Sequence, residues 1–112
     1  MRMSLLTNEQ VVEEGFANLQ RGWETVGGRL YLTNQRLIFE SHPFNIQRGT
    51  TIVPLPNISI LREAWTKFLN QIPIANNSIA VTTNEGSEYR IVVWGRQDWI
   101  EAIMDQQHVT SS

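Results

Sequence analysis

Two loop-like segments, residues 20–28 and 41–49, each place an aromatic ring beside an arginine. The residues concerned are Arg21 and Trp23 in the first segment, Phe44 and Arg48 in the second, and Arg29 immediately after the first. Aromatic rings can enter the interfacial layer of a bilayer while arginines meet anionic headgroups. The pattern indicates a surface able to bind anionic lipids.

The charge of this surface predicts only weak membrane binding. Each cation near an anionic membrane contributes about 1 kcal/mol, and clusters of about 4–8 cations are usual. Here the arginines are opposed by Glu24, and the first strand and its loop contain no lysine. The alternative, which we prefer, is that Trp23 and Phe44 fold back over the domain or contact another subunit, because isolated apolar residues are normal at surfaces.

A second candidate surface is an apolar stripe formed by Trp65, Phe68, Leu69 and Ile72. Their spacing of i, i+3, i+4 and i+7 is that of one helical face, and it predicts one or two helical turns. We expect the stripe to pack on the rest of the domain. If it is exposed instead, it is a docking site for a protein.

Residues with catalytic potential form no recognisable constellation. His42 and His108 are the two histidines, and neither has a second metal ligand or a Ser/Asp partner at a typical spacing. Gly27 and Gly28 are not followed by the Lys-Ser/Thr of a phosphate-binding loop. The chain has no cysteine, which excludes thiolate chemistry and disulfides. We therefore expect a domain that is not an enzyme and has no cofactor and no metal.

Length and charge narrow the class of partner. The 112 residues are enough for a single domain over residues 1–112. The formal net charge of −2 lacks the cationic excess of a nucleic-acid binder, so no nucleic-acid partner is expected. Residues 1–6 lack the apolar run of a signal peptide, and no window reaches a membrane-spanning length. A cytoplasmic location is predicted, with peripheral attachment to a membrane as the alternative.

Turn signals recur at short intervals, which predicts a mostly β domain. Strands are expected over residues 11–19, 29–32, 36–41, 50–55, 58–62, 79–83 and 89–93. Residues 20–28 are predicted to be a loop and residues 63–77 an irregular stretch. Arg36 has the charge to bind an anion, but we interpret it as a structural part of the turn between the second and third strands.

The end of the chain changes from strand to helix periodicity. Trp99, Ile100, Ile103 and Met104 fall on one helical face. Acidic residues occupy the opposite face and are expected to be solvated; they are Asp98, Glu101 and Asp105. Gly95 or a neighbour is the expected N-cap. A helix with this apolar stripe can close the open end of a curled antiparallel sheet.

Four sequence segments resemble the GRAM domain, a branch of the pleckstrin-homology superfold. The most specific is GRLYLTNQRLIF at residues 28–39. The others are IPIANNSIAVTT at 72–83, GSEY at 86–89 and DWIEAI at 98–103. The resemblance covers about residues 9–105. It implies a barrel of two orthogonal antiparallel sheets, of four and three strands, capped by the C-terminal helix.

The resemblance also bears on function, because relatives with this fold are binding modules and not enzymes. It implies that segments 20–28 and 41–49 lie at the rim of the barrel. We expect an interaction module that binds a protein partner or itself through apolar loops. The alternative is weak peripheral binding to anionic lipids through the rim residues named above.

Overall fold

The chain folds into seven antiparallel strands and one C-terminal helix. The structure is a computed structural model that describes residues 1–21, 24–42, 49–68 and 72–111. The strands are β1 (Val11–Arg21), β2 (Glu24–Thr33), β3 (Arg36–Ser41), β4 (Thr50–Pro54), β5 (Ile58–Phe68), β6 (Ile72–Thr83) and β7 (Glu88–Val93), and the helix is α1 (Arg96–Ser111). A 3-10 helix (Leu55–Asn57) joins β4 to β5. The predicted mainly β fold with a terminal helix is confirmed. Among the described residues, no helix has the length and hydropathy needed to cross a bilayer.

Strand β1 joins the two halves of the sheet. The strand order is β4-β3-β2-β1-β7-β6-β5, with antiparallel neighbours throughout. One flank of β1 pairs with β2 from Val11 to Arg21, and the other pairs with β7 from Ala17 to Gln20. The resemblance implied two sheets, of four and three strands, whereas the seven strands form one continuous sheet because β1 hydrogen-bonds to both β2 and β7.

Strand β2 begins inside the segment predicted to be a loop. Gly27 and Gly28 lie within the predicted loop, but both pair with β1 inside the sheet. A Cβ at Gly28 would collide with the backbone of Glu40 and the ring of Phe39. Glycine therefore marks close packing within a strand here, and the prediction of a loop over 24–28 is wrong.

Strands β5 and β6 are also longer than predicted. They pair through residues 64–68 and 72–78, within the stretch expected to be irregular. The ladder shifts register between Ala64 and Thr66 and again between Thr66 and Lys67. Because such irregularities break the two-residue alternation, the strand signal is lost from the sequence.

Inward side chains of the strands form one core. The largest fully buried ones include Leu19, Leu30, Leu32, Phe39 and Ile79. Burial of each such side chain contributes on the order of 1.5–3 kcal/mol, which is large beside a net stability of about 5–15 kcal/mol. Because one face of each strand packs into this core, the opposite face is the one exposed to solvent.

Helix α1 packs against the 3-10 helix that joins β4 to β5, and against β2, β5, β6 and β7. Trp99, Ile100 and Ile103 are buried, as predicted, and Trp99 N donates to Gly95 O at 3.0 Å to start the helix. Gln107 Nε2 donates to Leu55 O at 3.4 Å and to Ile58 O at 3.2 Å, which fixes the helix to the 3-10 turn. The helix thus packs over the connection between the two edge strands, β4 and β5.

One residue of the predicted apolar face lies in solvent. Met104 is 54% exposed, so the buried stripe of α1 is narrower than the four residues predicted. The acidic residues Asp98, Glu101 and Asp105 are exposed, in agreement with a solvated face.

Residues 1–10, which we call the strap, lie outside the strands and are fastened to the β2–β3 turn. Arg36 Nε and Nη2 donate to the two carboxylate oxygens of Glu9 at 2.8 and 2.7 Å. Thr33 Oγ1 donates to Glu9 Oε2 at 2.6 Å, and Leu6 N donates to Glu9 Oε1 at 2.7 Å. The Glu9 side chain is 0% exposed and that of Arg36 is 11% exposed. The interpretation of Arg36 as structural is confirmed.

The rest of the turn holds the strap through its amide side chains. Asn34 Oδ1 accepts from Gln10 N at 2.9 Å, and its Nδ2 donates to Asn8 O at 3.0 Å. Gln35 Nε2 donates to Thr7 O at 2.9 Å. The polar turn residues therefore serve folding.

The Glu9–Arg36 pair makes stability depend on pH. Hydrogen bonds from the Arg36 guanidinium, helped by Leu6 N–H and Thr33, outweigh burial and lower the pKa of Glu9 from 4.5 to about 2. A lowered folded-state pKa adds stability above the unfolded pKa, and this stability is lost as pH falls through the folded value.

We predict that the free energy of unfolding falls by about 3 kcal/mol between pH 5 and pH 2 through this residue alone. Glu9→Gln should lower stability at pH 7 and flatten that acid slope in urea titrations. Glu14→Gln, which removes an exposed carboxylate, controls for net charge. An unchanged acid slope in Glu9→Gln would contradict the assignment.

The narrow stripe of α1 gives a second prediction. Ile103→Ala should lower the free energy of unfolding by about 2–5 kcal/mol, because Ile103 is 0% exposed and its loss leaves a cavity. The adjacent Met104→Ala should change it by less than about 0.5 kcal/mol. Urea unfolding followed by tryptophan fluorescence measures both, and similar losses would show that α1 does not cap the core.

Candidate functional site

The sequence-predicted site residues fall mostly outside the side chains that the structure describes. Trp23, Phe44, Arg48 and Leu69 lie outside the described residues. Arg21, Trp65, Phe68 and Ile72 are described as strand backbone. The prediction of helical turns over the apolar stripe is wrong, because cross-strand pairing holds both flanks of that segment extended. Their roles in binding stay predictions.

Arg29 is the predicted site residue whose side chain is described, and it lies on the outer face of the sheet. Cross-strand pairing aligns it with Phe16 on β1 and with Glu40 on β3. Its guanidinium carbon is 4.7 Å from the centroid of the Phe16 ring, a cation–π contact. Arg29 Nη2 is 3.5 Å from Glu14 Oε2 in a loose, partly exposed ion pair.

A cleft of about 310 Å³, here called the outer cleft, lies beside Phe16 on this face. Its position follows from the pairing of Val92 with Asn18 and of Asn18 with Gly27. Gly27 contributes no side chain to the cleft, and the side chains of Asn18 and His42 lie on either side of the space that a Cβ there would occupy.

The walls of the outer cleft include two exposed rings. Phe16 is 66% exposed and Trp94 is 91% exposed. Trp94 follows the pairing of Val93 with Ala17, which brings it alongside Phe16 at the end of β7. The next residue, Gly95, has φ of +67°, a left-handed conformation that turns the chain into α1 and leaves the indole outside the core.

A second hollow of about 180 Å³ adjoins the first at His42 and lies between Arg29 and the strap. Glu40 is buried beneath it, and its carboxylate accepts hydrogen bonds from Arg2 N and Met3 N at 2.8–3.0 Å. Arg2 Nη2 donates to Ser41 O at 2.7 Å. The strap therefore forms one side of this hollow and covers the outer face of β3.

Sequence reasoning missed Phe16 and Trp94. The signal for Phe16 was present in the alternation of β1, where Ala17 and Leu19 face the core and Phe16 must face outward. Trp94 falls between the strand predicted to end at residue 93 and the helix expected to begin near Gly95, and no role was assigned to it. His42 is exposed.

The side chains of the outer cleft suit binding. The two rings supply apolar contact and Asn18 can donate and accept hydrogen bonds, while Arg29, outside the cleft but stacked on Phe16, presents a planar guanidinium. Tryptophan and arginine are also the residues most enriched among those that dominate protein interfaces.

Comparison with known proteins agrees with the fold. The family model of the GRAM domain matches residues 1–108. No curated protein matches this chain.

Several solved structures share the architecture at low sequence identity. The C-terminal domain of an unknown protein from Leishmania infantum has a TM-score of 0.74 and 17% identity over 90% of this chain and 86% of that chain. The Vps36 N-terminal PH domain has a TM-score of 0.70 and 15% identity over 97% and 87% of the two chains. The DH/PH domains of PDZ-RhoGEF, in complex with GTP-gamma-S activated RhoA, reach 0.67 and 13% over 92% of this chain and 31% of that chain.

These findings place the chain in a class of small binding domains. GRAM and PH-like domains are typically interaction modules and are generally not catalytic. The structural likenesses establish the PH-like fold, and the family match extends over nearly every residue. The chain belongs to the GRAM domain family.

Proposed function

We propose that this domain is a non-enzymatic module that binds a protein partner through the outer cleft and its rim. The observation that carries the proposal is the cluster of Phe16, Trp94 and Arg29 on one face of the sheet. An indole that is 91% exposed contributes little to the core, yet it offers a large rigid surface to a partner.

The form of the site favours a protein over a membrane. The outer cleft is a concave hollow with a polar floor, which suits a partner carrying its own hydrogen-bonding groups. Around it, Arg29 is opposed by Glu14 and aligned with Glu40, so the described side chains of this face do not concentrate the positive charge that attracts anionic lipids. The complex formed by the PDZ-RhoGEF DH/PH domains shows that this fold occurs in assemblies with proteins.

Peripheral lipid binding through Arg21, Trp23, Arg29, Phe44 and Arg48 remains the alternative. Arg29, the member whose side chain is described, stacks on Phe16 at the sheet face. Flotation with phosphatidylserine liposomes at low and high salt separates the two proposals, since electrostatic binding must weaken as salt screens it.

The proposal predicts that a Phe16→Ser/Trp94→Ser double variant loses its protein partners. Truncating a ring at the centre of an interface commonly weakens binding by tenfold or more, and partners captured from cell extract should fall at least that far in quantitative mass spectrometry. Ile60→Ser is the matched control, because Ile60 is 52% exposed on β5, away from the cleft.

Three results would contradict the proposal. The partner set could be unchanged in the double variant, or lost equally in Ile60→Ser. Alternatively, partners could be lost only in Trp23→Ala/Phe44→Ala, which would assign binding to the loops. Equal melting temperatures across the variants are needed to exclude unfolding.

A further inference from the structure

We infer that a partner of this face is a second copy of the same chain, bound through the same face in a twofold-symmetric pair. This inference rests on the proposed function and names its partner. It draws on the charges and aromatic rings around Arg29. We call the surface formed by these residues the self-docking face; they are Glu14, Phe16, Arg29 and Trp94.

The first observation is that the face carries opposite charges side by side. Arg29 and Glu14 are 3.5 Å apart, and their side chains are 38% and 52% exposed. Exposed ion pairs of this kind contribute little within one molecule. A twofold axis presents the Arg29 of each copy to the Glu14 of the other, so one surface contains both halves of the charge complementarity that a symmetric interface requires.

The second observation is that the apolar groups lie in the same patch as the charges. Phe16 and Trp94 are 66% and 91% exposed, and Arg29 covers part of the Phe16 ring. Two copies that face one another bury four rings together with the paired charges. A ring cluster bordered by polar residues is the usual composition of a protein interface.

The size of the face sets the strength of the pair. The four residues lie on three neighbouring strands about 4.8 Å apart and span about three residues at about 3.3 Å each, so their footprint on the sheet is on the order of 150 Å². Stable complexes bury about 800 Å² from each partner, so a pair held by this face alone should be weak and form only at high chain concentration.

Charge reversal tests the inference in sedimentation equilibrium from about 10 µM to 1 mM chain. The wild-type chain should self-associate over this range. Arg29→Glu makes the face uniformly acidic, and Glu14→Arg makes it uniformly basic. Each variant alone should associate at least tenfold more weakly, because like charges meet across the axis.

Mixing the two variants is the decisive arm. An equimolar mixture of Arg29→Glu and Glu14→Arg chains should associate at least as strongly as the wild type, because an acidic face then meets a basic one. Loss of structure in either variant cannot produce this recovery. Arg62→Glu is the matched control: Arg62 lies on β5, is 50% exposed and pairs with Glu88 at 3.3 Å, and its reversal should leave self-association unchanged.

The inference is overturned if the wild type is monomeric at 1 mM, if either reversal associates like the wild type, or if the mixture does not recover. A monomeric chain that still captures other proteins through Phe16 and Trp94 would refute self-docking and leave the proposed function standing. If the chain neither self-associates nor captures other proteins through Phe16 and Trp94, the inference and the proposed function are both refuted.

Discussion

The double pairing of β1 is the constraint on which the rest of the structure depends. Because β2 lies on one flank and β7 on the other, the strand cannot rotate without breaking two ladders. Its alternation then sends Ala17 and Leu19 into the core and Phe16 and Asn18 to the outside. The same hydrogen bonds that assemble the barrel therefore position the ring and the amide of the outer cleft.

The edges of the sheet explain why binding should use a face and not a strand edge. Free edges invite pairing with another chain, and proteins commonly blunt them with short strands, prolines and bulges. Strand β4 has five residues and ends at Pro54, while β5 carries register shifts along its ladder with β6. Both edges thus disfavour regular pairing, and the exposed side chains of the outer face remain the more suitable contact surface.

The sequence predicted the elements whose signals are local and missed those set by distant pairing. The strand at 36–41 was predicted with its observed bounds, because the polar turn before it and the apolar run within it are both short-range signals. Trp99 and Ile103 were likewise placed correctly by helical spacing.

The extent of β5 and β6, by contrast, depends on their long antiparallel pairing, and the helical spacing of the aromatic residues there was coincidental. Position 28 needs a glycine because Glu40 and Phe39 on the neighbouring strand β3 leave no room for a Cβ. This crowding comes from a distant part of the chain, so the sequence around Gly28 does not show it.

The candidate site was missed for a related reason, and this bears on how function is assigned in the fold. Sequence reasoning looked for rings in loops, whereas the described rings stand on β1 and just after β7, where only the register between those strands brings them together. Several solved structures share the fold of this chain at 13–17% identity, and a shared fold does not fix the residue at an outward position such as Phe16. A ligand therefore cannot be transferred through the fold. It has to be argued from the outer side chains, and in this chain the argument for self-docking starts from the opposed Arg29 and Glu14 beside two exposed rings.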